Sequence, residues 1–308
     1  MLEVVVATYN GSRFLQEFLA SVDRQTRRPD SILFRDDGSS DNTVEIVERY
    51  CRSRPQARLL RDPDGNVGVI GNFARLLNAS TAQHVMLADQ DDVWQSQKIE
   101  RSWQRIVTLE QAGSNTVPAL AFCDLEVVDE RLRPIHRSFV DHQRLRPLTR
   151  GGHAALLTQN VAPGCAMVVN RALLDLALPI PNEACMHDWW LMQVAALAGR
   201  IAYIDEPLIC YRQHGGNAIG APSSSALGLL MRARSAARGY SCRLSAAQGQ
   251  AGELLRRYEA VMDPQQRLTT RTFAELSRHA SLPRRWHAWR SGLRKTGPLR
   301  NLIFYLLM

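Results

Sequence analysis

Val85-Met86-Leu87-Ala88-Asp89-Gln90-Asp91-Asp92 is the stretch from which this chain is best read. Four apolar residues between polar neighbours form the pattern of a short, fully buried strand. That strand runs out into three carboxylates within four positions. Like charges crowded at a buried strand end repel one another and call for a cation.

Working outward, the same device recurs. Leu2–Val6 is a β-branched run that ends at Thr8-Tyr9-Asn10-Gly11, and Ile32-Leu33-Phe34 ends at Asp36-Asp37-Gly38-Ser39. Leu59-Leu60 leads into a Gly/Asn-rich loop from Asp64 to Gly71. Each run is followed by apolar residues at helical spacing: Phe14, Leu15, Phe18, Leu19 and Val22; then Val44, Ile46 and Val47; then Phe73, Leu76 and Leu77; then Ile99, Trp103 and Ile106. Ser12 is a candidate cap for the first helix, and Asp41 or Asn42 for the second. Alternating strands and amphipathic helices predict an α/β fold, a mostly parallel sheet flanked by helices on both faces. In such sheets ligands bind at the C-terminal strand edge. Asn10, Asp36-Asp37 and Asp89–Asp91 all fall on that edge, delivered by three separate strands.

Further along, Ala119, Ala121 and Phe122 begin a fifth strand, and residues 131–160 read as a loop-rich insertion. Pro163–Val169 reads as a strand after a turn, and His187-Asp188-Trp189-Trp190 opens another helix. Ile201–Ile204 and Leu208–Tyr211 read as two strands separated by Asp205-Glu206-Pro207. Ala221-Pro222-Ser223-Ser224-Ser225 is small and turn-prone, and is taken as the linker between a domain over residues 1–222 and a helical extension over 223–308.

The net charge of +8 is unevenly placed. Residues 223–308 hold 15 Lys+Arg against 4 Asp+Glu, whereas the rest of the chain is slightly acidic. Arg232, Arg234 and Arg238, then Arg284-Arg285-Trp286 and Trp289-Arg290, mix cations with apolar and aromatic residues. That suits an interfacial helix on anionic lipid, and equally a packing or dimer helix with a solvated face. The six cysteines are scattered with no Cys-x-x-Cys pair, against a zinc or dithiol site and in keeping with a reducing cytoplasm. No charged leader precedes the first strand, and no run approaches the ~20 apolar residues that span a bilayer. The expected location is cytoplasmic, peripheral on the inner face of the membrane.

Asp89, Asp91 and Asp92 offer the hard oxygen ligands that Mg²⁺ and Mn²⁺ prefer, usually completed by substrate phosphates. The plainer reading is a capping cluster for a helix starting near Val93. Three successive chances for one cap are excessive, which favours the metal. Thr8–Gly11 and Asp36–Ser39, each taken singly, are ordinary turn chemistry.

Taken together, Val4–Gly11, Arg35-Asp36-Asp37-Gly38-Ser39-Ser40-Asp41, Asn66-Val67-Gly68 and Asp89-Gln90-Asp91-Asp92-Val93-Trp94 resemble glycosyltransferase family 2, of the Rossmann-like GT-A fold. The resemblance spans about residues 1 to 220. His187–Trp190 and Tyr211-Arg212-Gln213-His214-Gly215-Gly216-Asn217 are similar to the rhamnosyltransferase-like branch of bacterial surface-polysaccharide enzymes. The resemblance implies that Thr8, Tyr9, Asn10, Arg13, Asp36, Asp37 and Asn66 bind the nucleotide sugar, with Asp89 near the ribose. It implies that Asp91 ligates Mn²⁺ or Mg²⁺ and that His214 completes the metal or diphosphate site. Asp188 would be the general base of an inverting transfer, although an N-cap is its plain alternative. Family members often carry an acidic residue before this Asp, where this chain has His187. Trp189 and Trp190 form either an acceptor-side sugar platform or core. The implied reaction moves one sugar from a nucleotide-diphosphate donor to a glycan or lipid-linked saccharide in O-antigen or exopolysaccharide assembly. L-rhamnose from dTDP-rhamnose is the first choice of donor, and a UDP-hexose the alternative.

Three rival readings fare worse. A nucleic-acid-binding protein would use the basic tail, but leaves the acidic edge unexplained, so no nucleic acid is expected. A dinucleotide oxidoreductase needs Gly-x-Gly-x-x-Gly after the first strand, where this chain has only Asn10-Gly11. A processive synthase would carry membrane spans and Gln-x-x-Arg-Trp, and neither is found.

Overall fold

The computed structural model describes residues 1–112, 117–147, 152–215, 233–278 and 281–307. Its N-terminal part alternates as β1 (Leu2–Thr8), α1 (Ser12–Asp23), β2 (Ser31–Asp36), α2 (Thr43–Arg52), β3 (Ala57–Leu59), α3 (Gly68–Ala79) and β4 (His84–Asp89). There follow β5 (Val93–Trp94), α4 (Lys98–Gln111), β6 (Ala119–Val128), β7 (Pro134–His136), α5 (Phe139–His142) and α6 (His153–Thr158). Then come β8 (Met167–Asn170), α7 (Arg171–Ala177), α8 (His187–Ala198) and β9 (Arg200–Arg212). The extension holds α9 (Ala233–Tyr258), α10 (Pro264–Ala274), α11 (Ser281–Arg290) and α12 (Pro298–Leu307).

One nine-stranded sheet has the order β3-β2-β1-β4-β8-β6-β9-β5, with β7 beside β6. β1, β2, β3 and β4 are parallel, and β6 and β9 run the same way; β8, β5 and β7 run against them. The buried runs Leu2–Val6, Ile32–Phe34 and Val85–Ala88 are covered on both faces, which is why they read as continuous apolar stretches. The sheet is therefore the mostly parallel, helix-flanked α/β architecture expected, with strand order and direction reversing around β8.

That topology assembles one edge. Thr8 pairs with Asp36 across β1 and β2, and Ala7 with Asp89 across β1 and β4. Antiparallel β8 starts where its neighbours end, so the 3-10 turn Gly164–Ala166 leading into it lies beside Asp89. Helix α8 runs straight back into β9 and so lies antiparallel to it, which puts the N-terminus of α8, and with it Asp188, at the same edge against Gly164. β9 then returns and delivers His214 there.

Several local expectations change. Ile201–Ile204 and Leu208–Tyr211 are one strand, β9, because Asp205 and Glu206 are absorbed as a bulge against β6 where a turn was expected. No helix starts near Val93: Val93 and Trp94 pair with Cys210 and Ile209, and α4 begins only at Lys98. The acidic cluster is thus not a helix cap. Ser12 is the first residue inside α1, whose N-cap is Gly11. Between the two candidate caps of α2, Asn42 occupies the N-cap position without a side-chain bond. Asp41 instead accepts the backbone N–H of Thr43 at 3.0 Å and that of Ser12 at 3.1 Å, serving two helices with one carboxylate.

The helical extension packs onto the body. Ala251, Leu254, Tyr258, Phe273 and Phe304 join the same buried core as the sheet. His153 Nε2 lies 2.7 Å from Thr270 Oγ1, and the Thr158 hydroxyl donates to the Arg294 carbonyl at 2.8 Å. The expected linker 221–225, the 222/223 boundary, Gly216, Asn217 and Arg232 lie outside the described residues, as do the side chains of Arg234 and Arg238. No helix among the described residues is long and apolar enough to cross a membrane.

Arg35 on β2 is 1% exposed, and its guanidinium holds Asp37 Oδ1 at 2.9 Å and both oxygens of Asp62, at 2.6 and 3.0 Å. Removing one partner of such a buried pair strands the other charge, which costs about 3–5 kcal/mol. Arg35→Met is expected to destabilise the protein by that order, read as a lower urea midpoint with unchanged slope.

Candidate active site

Two loops of the edge are held by their own side chains. The Tyr9 N–H donates to Gln90 Oε1 at 3.0 Å, and Gln90 Nε2 donates to the Tyr9 carbonyl at 2.7 Å. Gln90 thereby pairs with the first loop as a neighbouring strand would. The fit depends on Gly11, since a Cβ there would fall 1.9 Å from Gln90 Oε1. The Asn10 N–H donates to Ser39 Oγ at 2.8 Å, and Asn10 Oδ1 accepts from the Ser40 N–H at 2.8 Å. Asn10 has φ 45°, in the left-handed region that Asn tolerates better than most residues.

The expected nucleotide residues all reach this edge, with different parts to play. Tyr9 is 48% exposed and Asn10 and Asn66 lie on the surface, open to a base or ribose. Arg13 is also exposed and pairs with Glu130 at 2.7 Å. Thr8 is buried, its hydroxyl donating to Asp36 Oδ2 at 2.9 Å. Asp36 also accepts from Gly38 N–H, Ser39 N–H and Ser39 Oγ–H, at 3.0, 2.7 and 2.6 Å. Asp37 accepts from Val67 N–H and Gly68 N–H, each at 2.9 Å, besides its Arg35 contact. Thr8, Asp36 and Asp37 are therefore framework groups whose polar atoms are engaged by protein.

The second carboxylate set is different. Asp91 Oδ2 lies 2.7 Å from His214 Nε2, and the His214 ring packs against Phe14 at 4.8 Å. Both side chains keep a little exposure, 17% and 13%. Behind them, Asp89, Asp92 and Cys165 can bring ligand atoms within 4.8 Å of one another. Asp92 is buried, with Oδ1 accepting from the Arg212 N–H at 3.2 Å and Oδ2 without a hydrogen-bond partner among the described residues. Burial, then the charge of Asp91, raises the carboxyl pKa of both Asp89 and Asp92. Lys98 faces this inner group. It is fully buried over the Trp94 ring at 4.0 Å, and desolvation lowers its pKa while Cys165 and Asp92 oppose that shift. The outer Asp91–His214 pair offers an oxygen and a nitrogen donor on partly exposed side chains, which could hold a divalent ion reached from solvent.

Asp188 lies in the first turn of α8 and is 5% exposed. Its Oδ1 accepts from Asn160 Nδ2 at 3.1 Å and from the Trp189 N–H at 2.6 Å. Gly164 sits against it: a Cβ on Gly164 would lie 3.4 Å from Asp188 Cβ and 2.8 Å from His187 Nε2. Burial pushes the Asp188 carboxyl up to about 6, opposed by those hydrogen bonds. Asp188 is not the N-cap of α8, a position taken by Met186. His187 stacks on Phe73 at 4.0 Å, and burial drives its imidazole down to about 3, so the ring is neutral. The charges of both Asp91 and Asp188 act on Asp89 and raise its carboxyl pKa, which couples the three carboxylates electrostatically.

Trp190 is a correction. It is fully buried, its indole N–H donates to the Ala177 carbonyl at 2.9 Å, and its ring meets Tyr258 in α9. It has no surface to offer a sugar and is core. Trp189 is partly buried and donates to the Leu156 carbonyl at 2.6 Å. The pattern of residues did not disclose Gln90, Asn160, Gly164, Lys98 or Arg212 as parts of the site. Gln90 and Arg212 stood inside quoted motifs, and only their contacts give them a task.

The comparisons with known proteins agree with this geometry. The sequence pattern of the family described as Glycosyl transferase family 2 matches residues 3–175. The dTDP-rhamnosyl transferase RfbG of Shigella flexneri is 28% identical over 232 residues, covering 70% of this chain and 74% of that protein. Glycosyltransferase GlyG of Streptococcus pneumoniae is 26% identical over 233 residues, covering 70% and 72%. Among solved structures, S. aureus TarS residues 1–349 superposes with a TM-score of 0.58 at 16% identity, covering 94% of this chain and 77% of that one. The mannosyltransferase PcManGT of Pyrobaculum calidifontis, in complex with GDP-Man and Mn²⁺, gives a TM-score of 0.56 at 17% identity, covering 94% and 72%. With more than half its length matched to the family pattern and its sheet built as in these transferases, the chain belongs to glycosyltransferase family 2 and is a transferase of the GT-A fold.

Proposed function

We propose that this transferase moves a single sugar, with inversion, from a nucleotide-diphosphate donor to a saccharide hydroxyl in bacterial surface-polysaccharide assembly. The observation that supports the reading is the convergence of Asp91–His214, Asp89 and Asp188 on one edge, beside two loops that expose Tyr9 and Asn10 and, separately, Asn66. The nucleotide would lie on those loops and the diphosphate toward Asp91 and His214. Those two side chains would hold Mn²⁺ or Mg²⁺, whose charge offsets the charge that develops on a departing diphosphate.

Asp188 is the base in this reading. An acceptor hydroxyl entering over Gly164 would give its proton to the carboxylate as its oxygen attacks the anomeric carbon. Asn160 and the Trp189 N–H hold Oδ1 and so fix the carboxylate plane. A carboxyl held at about 6 is a stronger base than an exposed aspartate, yet still ionised at neutral pH.

Rhamnose is the first choice of sugar because the Shigella relative is a dTDP-rhamnosyl transferase. The acceptor is a glycan or lipid-linked saccharide. A panel of nucleotide sugars, assayed for hydrolysis and transfer with and without Mn²⁺, tests the donor. Turnover of dTDP-rhamnose is expected, and exclusive use of a UDP-hexose would replace it. Retention of anomeric configuration in the product, read by NMR, would overturn single displacement.

Asp188→Asn keeps size and shape but cannot take the proton. Turnover is expected to fall by about 10²–10⁴-fold with donor affinity nearly unchanged. Weakened donor binding at unchanged turnover would mean a binding role instead. The wild-type kcat/KM is expected to fall tenfold per unit as pH drops below about 6, where Asp188 protonates, and this limb should vanish in the variant. Asp91→Asn is expected to remove most activity and to weaken Mn²⁺ binding by titration calorimetry while leaving the thermal midpoint near wild type. Full activity in chelator would reject the metal.

A further inference from the structure

After Glu275 the sequence holds six arginines and Lys295 but no acidic residue. The two helices in this segment are both two-faced. On α11, Ala288 is fully buried while Trp286 and Trp289 are 52% and 62% exposed. On α12, Phe304 is fully buried while Leu302 and Leu306 are 56% and 58% exposed. Spacings of three and four put each pair on one side of its helix. Arg285 Nη2 donates to the Leu306 carbonyl at 3.1 Å and the Tyr305 hydroxyl to the Leu293 carbonyl at 2.7 Å, which fasten the helices together. Inward anchors Ala288, Leu293 and Phe304 tie the pair to the core. Four large apolar side chains therefore point outward from two adjoining helices, with exposed Arg290 and Arg294 nearby and Arg290 stacked 5.1 Å from the Trp286 ring.

We infer that α11 and α12 form an interfacial anchor for an anionic lipid bilayer. Trp286, Trp289, Leu302 and Leu306 enter the boundary between headgroups and acyl chains, while Arg290 and Arg294 meet lipid phosphates. The chemistry selects this occupant over two others. Tryptophan suits a boundary that is apolar on one side and wet on the other. A nucleic-acid backbone would engage the arginines but leave the tryptophan and leucine faces with nothing to bury against. A second copy packed face to face would oppose two basic surfaces with no acidic residue in the segment to balance them. Neither helix can span the bilayer, so the contact lies in the plane of the surface. The inference goes beyond the proposed reaction and does not depend on which sugar is moved.

Flotation of the full chain with vesicles of phosphatidylglycerol and phosphatidylcholine tests it. The wild type is expected to float at low salt, to float less as salt rises, and to show a blue-shifted tryptophan emission. Trp286→Ser/Trp289→Ser is expected to weaken vesicle binding by about tenfold or more and to abolish the shift. Leu302→Ser/Leu306→Ser should weaken binding in the same direction from the other helix, so that the test survives misfolding of one variant. Nucleotide-sugar binding by both variants should match wild type, which separates this outcome from loss of the enzymatic site. Failure of the wild type to bind at low salt overturns the inference. So does equal flotation of both variants, or a wild-type dimer that the tryptophan variant dissolves in the absence of any vesicle binding.

Discussion

The donor edge depends on one buried guanidinium. Arg212, the last residue of β9, is 1% exposed. Its Nε donates to the Asp91 carbonyl at 2.8 Å, its Nη1 to the Glu130 carbonyl and its Nη2 to Glu17 Oε2. Its own N–H meets Asp92 Oδ1, and its face covers the Phe14 ring at 4.4 Å. A desolvated cation is tolerated only where its partners are fixed, so the charge itself locks α1, the acidic loop and the end of β9 together. His214 follows two residues later, and its 2.7 Å approach to Asp91 is possible because the strand that carries it is already fastened to the Asp91 backbone.

The acidic groups of the edge then fall into two kinds. Asp36 and Asp37 are surrounded by donors from Arg35, Thr8, Ser39 and backbone amides, and their charge is answered within the protein. Burial pushes Asp89, Asp92 and Asp188 upward, the charge of Asp91 adds to this at Asp89 and Asp92, and their charge is only partly answered. A fold tolerates the second kind where a ligand or a proton is expected to arrive. The first kind shapes a loop, and the second kind faces chemistry.

Much of this was legible in the residues because strand period and strand ends are local signals. The runs ending at Thr8, Asp36 and Asp89 and the helix opening at His187 sit where their patterns put them. What escaped is what depends on partners far along the chain. Asp205-Glu206-Pro207 looks like a turn until β6 is beside it to absorb the bulge. Lys98 reads as a surface lysine, because nothing local shows that Trp94 and Asp92 will enclose it. Trp190 differs from Trp189 only in the face of α8 it occupies, and α8 is apolar nearly all round, so its period carried little information.

The Gln90–Tyr9 pairing has a consequence for how this enzyme can change. Gln90 fills the space that any side chain at position 11 would need, and its amide replaces a strand partner for the loop that would receive a nucleotide. A side chain at position 11 would push the end of Gln90 aside and break its two hydrogen bonds to Tyr9, and shortening Gln90 makes room at position 11 but breaks the same bonds. Neither position is free to drift alone. Exchanges at 11 and 90 are coupled through the Tyr9 loop, which makes the pair a site of epistasis.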